Sequence, residues 1–144
     1  MMIPQILSLF LLSTSFNSTA ALESSTPRAV SPFFSQHNEI QTNELKRMME
    51  TNKDLILVDA RKRKNDDGYR IGNARLVPPD APPTHIRAAL PSKSSTIVVY
   101  CASAKCPASV NLARRLISMG YEDVHVYKAG IKGWVNAGNK MNKI

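Results

Sequence analysis

Ser95-Thr-Ile-Val-Val-Tyr-Cys-Ala-Ser-Ala-Lys-Cys-Pro-Ala-Ser-Val-Asn-Leu-Ala-Arg-Arg-Leu116 is the stretch that decides the fold. Ile97, Val98 and Val99 are a β-branched run, the composition of a strand buried on both faces. The run ends at Tyr100-Cys101. Pro107 then stands where a helix can begin, at the one place where its missing N–H costs nothing. Val110, Leu112, Ala113, Leu116 and Ile117 follow with helical spacing, while Arg114 and Arg115 face outward. The stretch predicts a strand, a short loop opening on a cysteine, and an amphipathic helix.

That position has a chemical consequence. N–H groups in a tight loop and at a helix start stabilise negative charge, a thiolate included. The small residues Ala102, Ser103 and Ala104 let several amides turn inward, and Lys105 adds a nearby positive charge. Cys101 is therefore read as an activated nucleophile, with residues 102–105 as its anion-binding loop. Ser103 is a candidate donor to a bound anion. Ser109 either shares that role or satisfies a helix-terminal amide.

Outward from this stretch, strand and helix patterns alternate. Thr42 is read as the N-cap of a helix through Glu50 that buries Leu45, Met48 and Met49. Leu55-Ile-Leu-Val58 reads as a strand ending in Asp59-Ala60-Arg61, followed by a charged turn, Lys62–Gly68. Tyr69–Pro79 reads as a loop and a short strand, and Pro82-Pro83 as the start of a brief helix ended by Pro91. Gly120 is the expected residue just past the end of the helix that follows Cys101. Val124–Tyr127 is another strand, Ile131–Asn136 a last helix closed by Gly138, and Asn139–Ile144 a polar, frayed tail. This alternation predicts an α/β fold with a parallel sheet flanked by helices on both faces. Ligands of such sheets bind beyond the carboxyl ends of the strands, where Cys101 lies.

The 144 residues suit one domain with a leader to spare. Residues 1–21 read as a signal peptide: Ile6–Phe16 is apolar, no charged side chain precedes Glu23, and Ser18-Thr-Ala-Ala21 offers small residues for cleavage. The apolar run falls short of the roughly 20 residues of a membrane span, so no stable membrane anchor is expected. Residues 22–38 read as a Ser/Thr/Pro-rich linker and 39–140 as the folded domain. The expected location is outside the cytoplasm, periplasmic or secreted. The formal charge of +8 belongs to this exported part. No aromatic-basic motif accompanies it, so nucleic acid is not an expected partner; a basic surface also draws in small anions. Neither His85 nor His125 has metal-ligand spacing to another histidine or cysteine, and no metal is expected.

Several segments, in order, resemble the rhodanese-like family from Ile40 to Gly138. Asp59-Ala-Arg61 is similar to the family's Asp-x-Arg at a strand end. Tyr69-Arg-Ile-Gly-Asn-Ala-Arg-Leu-Val-Pro78 is similar to its Gly-His-Ile-Pro-Gly-Ala-x-x-Ile-Pro loop. Val98-Val-Tyr-Cys101 matches the strand and catalytic cysteine, and Met119-Gly-Tyr121 with Ala129-Gly130, Trp134 and Ala137-Gly138 resembles the closing pattern. The resemblance implies a sulfurtransferase that needs no cofactor. Cys101 takes a sulfur from a small anionic donor such as thiosulfate, becomes a persulfide, and passes the sulfur to a thiol, a cyanide-like acceptor or a protein. Asp59, Arg61 and Arg70 are supporting residues, Arg70 standing where the family has histidine.

The loop also departs from the family. Its sixth residue is Cys106, followed by Pro107, and it contains no arginine. Cys106 is a candidate resolving thiol. Three functions stay open: sulfur transfer, thiol–disulfide exchange through Cys101 and Cys106, and a non-catalytic binding module. A static disulfide pinning the loop is the version without chemistry.

Overall fold

The computed structural model describes residues 37–144. The expected leader lies outside the described residues, as does the linker up to residue 36. Strands β1 (Asn38–Glu39), β2 (Ile56–Asp59), β4 (Arg75–Leu76), β5 (Thr96–Tyr100) and β6 (Asp123–Tyr127) form one sheet in the order β1-β6-β5-β2-β4. Every ladder in it is parallel. Helices α1 (Thr42–Thr51), α2 (Pro83–Ala89), α3 (Ala108–Ser118) and α4 (Gly130–Asn136) connect and cover it.

The β-branched run explains the layering. Successive side chains of β5 point to opposite faces. Ile97 and Val99 join Val58, Val124 and Val126 in a core with Ile86 and Leu90 from the α2 side and Leu112, Ala113 and Leu116 from α3. Val98 and Tyr100 join Leu57 and Tyr127 in a second core with Leu45 of α1 and Trp134 of α4. Residues 97–100 are fully buried, as the composition of the strand demands. The edge strands β1 and β4 are short, which limits the unpaired backbone exposed at either edge. Trp134 meets Tyr127 edge-on, ring centroids 6.4 Å apart, and fixes α4 against the sheet.

Local signals account for the element ends. Gly120, at φ +88°, follows α3; its N–H bonds Ile117 O, and that of Tyr121 bonds Leu116 O, the paired closure of a left-handed helix stop. Pro107 sits just before α3 and Pro83 opens α2. Met48 and Met49 are half-buried against the second core.

Three expectations are corrected. Thr42 does not cap α1: Gln41 holds that position, and the Thr42 hydroxyl instead meets the Tyr127 hydroxyl at 2.7 Å, tying helix to sheet. Asn38, read as linker, already belongs to β1 and pairs with His125, because an edge strand tolerates polar side chains. The tail is not frayed. Strand β7 (Asn142–Lys143) pairs antiparallel with β3 (Tyr69–Arg70), the Ile144 N–H bonds Gly68 O, and Trp134 Nε1 donates to Lys140 O. Backbone pairing across the chain holds a segment with no apolar pattern to announce it.

Candidate active site

Because the five strands run in one direction, the loops that leave them meet on one edge. Ala60 N–H bonds Tyr100 O at 2.8 Å, and Val77 N–H bonds Asp59 O at 2.9 Å. The loop after β5 is joined to α4 by two bonds of 2.9 Å, from Ile131 N–H to Cys101 O and from Lys132 N–H to Ala102 O. Gly130 makes that approach possible. Its φ is +65°, and a Cβ there would lie 2.4 Å from Cys101 O and 2.8 Å from Ser103 N, so only glycine fits. The sequence marks Gly130 as a turn residue; its closeness to the cysteine loop is set by tertiary packing.

Cys101 and Cys106 form a disulfide, with Cα atoms 6.2 Å apart. They are the only cysteines in the sequence. Cys101 is buried at 3% exposure, whereas Cys106 is half-buried. Between them the loop is nearly bare of internal bonding. The Cys106 N–H bonds Ser103 O at 3.0 Å, but the N–H groups of Ala102, Ser103, Ala104 and Lys105 have no partner among the described residues. They do not bond the Cys101 sulfur in this form, consistent with a disulfide sulfur being uncharged and a weak acceptor. Ser109 is buried on the first turn of α3.

Asp59, Arg61 and Tyr100 lie beneath this edge. Asp59 is fully buried and Arg61 is 6% exposed. The guanidinium meets both carboxylate oxygens, with Nη2 at 2.9 Å and Nε at 3.0 and 3.1 Å. It also donates to Tyr69 O, Asn65 O and the Asp67 carboxylate, so one side chain gathers the turn after β2. Burial opposes the Arg61 cation, but the Asp59 and Asp67 carboxylates outweigh it and raise its pKa. The Tyr100 hydroxyl accepts the Ile71 N–H at 3.0 Å and faces Asp59 at 3.4 Å. Burial first, and the Asp59 charge second, push its pKa well up, so it stays a neutral phenol.

Arg70 does not join the cysteine loop. It pairs with Asp66 at 2.5 Å and donates to Ala74 O. Its bond to Asp66 is the main reason that carboxyl lies below the ordinary aspartate range. Lys105, Lys128 and Lys132, on or beside the loops at this edge, are exposed and make no ion pair among the described residues. A shallow pocket of about 350 Å³ opens next to Cys106, lined by Lys62, Pro79, Asp80, Pro107, Ala108 and Asn111. A larger one, about 670 Å³, lies at the opposite end of the sheet around Leu55 and Ser95, away from both cysteines.

A family profile described as "Rhodanese-like domain" matches residues 41–137, more than half of the chain. The chain belongs to the rhodanese-like family. Its fold is similar to that of the BH2092 protein from Bacillus halodurans, at 20% identity and TM-score 0.66, covering 74% of this chain and 77% of that one. It is also similar to a thiosulfate sulfurtransferase from Pseudomonas aeruginosa, at 17% identity and TM-score 0.61, covering 74% of this chain and 20% of that one. The human single-domain sulfurtransferase TSTD1 aligns at 17% identity and TM-score 0.56, over 70% of this chain and 97% of that one. No curated protein matches the chain significantly. Within this rhodanese-like domain, the cysteine after β5 stands at the carboxyl edge of an all-parallel sheet, the place where such sheets bind ligands.

Proposed function

We propose that the reduced protein is a sulfurtransferase. Cys101 attacks the outer sulfur of a small anionic donor such as thiosulfate, holds it as a persulfide, and yields it to a thiophilic acceptor. The observation that carries this reading is the loop itself: Cys101 opens a run of four amides, residues 102–105, that lack partners among the described residues. Unpartnered N–H groups next to a sulfur favour its anionic form and can hold the terminal sulfur of a persulfide. The exposed Lys105, Lys128 and Lys132 supply the positive field that an anionic donor needs. Asp59, Arg61 and Tyr100 hold the floor of the site and take no part in the chemistry.

The disulfide makes this activity conditional. Its bond uses the one position on Cys101 Sγ that a transferred sulfur would occupy. The oxidised form should therefore be inert and the reduced form active. Sulfite release and intact mass after thiosulfate treatment test this. Sulfite is expected from the wild type only after prior reduction and removal of the reductant, and a gain of one sulfur in Cys106→Ser; no sulfite from the reduced wild type and no gain in Cys106→Ser would refute sulfur transfer. Export directed by residues 1–21, which we propose from the sequence alone, accords with this picture, since oxidising surroundings close such pairs.

Thiol–disulfide exchange through the same pair is a second reading, favoured by the closed Cys101–Cys106 bond. It requires turnover between a dithiol and a disulfide with no sulfur donor present, an assay in which a dedicated sulfurtransferase is silent.

A further inference from the structure

We infer that Cys106 turns sulfur transfer into hydrosulfide release, with an external dithiol as the source of electrons. The inference rests on the sulfur-transfer reading above and adds a second step at the same site. Two observations carry it: the loop as folded brings the two sulfurs into a bond, and the two cysteines differ in exposure.

In the first step the Cys101 thiolate attacks the outer sulfur of thiosulfate. A bond from Cys101 Sγ to that sulfur forms, the bond to sulfite breaks, and sulfite leaves with its electron pair. In the second step the Cys106 thiolate attacks Cys101 Sγ. The Sγ–Sγ bond seen in the structure forms, and the transferred sulfur leaves as hydrosulfide with the electron pair. One sulfane sulfur has been reduced and two thiols oxidised. The separation of 6.2 Å between the Cα atoms lies in the usual range for a disulfide, so the loop need not refold for this step.

The closed form must then be reopened. An incoming thiolate reaches the half-buried Cys106 more readily than Cys101, which is 3% exposed. Attack at Cys106 also expels the better leaving group, because Cys101 ends a strand and opens the run of unpartnered amides of residues 102–105, which favour its thiolate. The second thiol of the reductant displaces Cys106, and the dithiol leaves as a disulfide. The sum is one sulfane sulfur and one dithiol converted to hydrosulfide and a disulfide, with the protein unchanged. The chemical class of co-substrate is thus a dithiol, and the product is hydrosulfide.

A single-turnover experiment separates the two layers of the proposal. The protein is reduced, freed of reductant, and mixed with an equivalent of thiosulfate. Wild type is expected to release sulfite and hydrosulfide in equal amounts and to finish two hydrogens lighter. Cys106→Ser is expected to release sulfite, gain one sulfur, and keep it at least about tenfold longer than wild type. If wild type holds the added sulfur as long as Cys106→Ser, hydrosulfide release is overturned while sulfur transfer stands. If neither protein releases sulfite or gains sulfur, both fall. The entry point is read by quenching the oxidised protein with acid shortly after adding 2-mercaptoethanol and mapping the mixed disulfide. An adduct on Cys106 is expected, and one on Cys101 overturns the assigned order.

Discussion

Cys101→Ser is expected to reduce thiocyanate formation from thiosulfate and cyanide to the uncatalysed background. The substitution keeps the size of the side chain and its burial at the end of β5. It replaces a thiol, which ionises near pH 8.5 when free, by a hydroxyl that stays protonated in water. An alcohol beside the same amides cannot hold a persulfide, so no ping-pong cycle begins. The variant also lacks the disulfide, whose short loop is worth about 2 kcal/mol in the chain-entropy account. Cys106→Ser loses the same bond and supplies the matched stability control. Equal thermal midpoints for the two variants, with loss of thiocyanate in Cys101→Ser, isolate the chemical role of residue 101. Turnover by Cys101→Ser at the wild-type rate would remove the nucleophile from the account.

Arg61→Leu should give the largest loss of stability among single substitutions at this edge, about 3–5 kcal/mol by urea unfolding. The cause is the partner left behind. Asp59 is fully buried, and without the guanidinium it keeps only the Arg61 N–H at 3.0 Å and the more distant Tyr100 hydroxyl. Breaking one side of a buried ion pair costs far more than the pair contributes when intact. The Tyr69, Asn65 and Asp67 oxygens lose a donor as well, so the turn between β2 and β3 is freed. Adding Asp59→Asn to Arg61→Leu should return part of the stability by removing the stranded charge. A loss below about 1 kcal/mol in the single variant would mean that water reaches Asp59 and that the pair is not a structural hub.

The parts of the fold that depend on local pattern were readable from the sequence. A β-branched run followed by a cysteine, then apolar residues at helical spacing, placed β5, the loop and α3; Gly120 announced the end of that helix. The order of motifs pointed to the family that the profile match identifies. What escaped notice depends on contacts between distant residues. Nothing in Asn142-Lys143 signals pairing with Tyr69-Arg70, because that ladder is made of backbone groups. Thr42 satisfies the usual preference for a helix cap, yet Tyr127, on a strand far along the chain, offers its hydroxyl another partner. Arg70 aligned with a family histidine, but Asp66 lies four residues earlier on the same turn and captures it. The spacing of Cys101 and Cys106 permitted a disulfide without requiring one. Loop geometry decides that point.

The claim on which the function depends is that opening the disulfide exposes a sulfur already biased toward its anionic form. The rate at which iodoacetamide alkylates residue 101 at neutral pH, in reduced Cys106→Ser, measures this directly because one thiol remains. Alkylation clearly faster than that of free cysteine is the predicted result, and its gain should vanish when the protein is unfolded in urea. A folded-state rate equal to or below that of free cysteine would contradict activation by the loop amides.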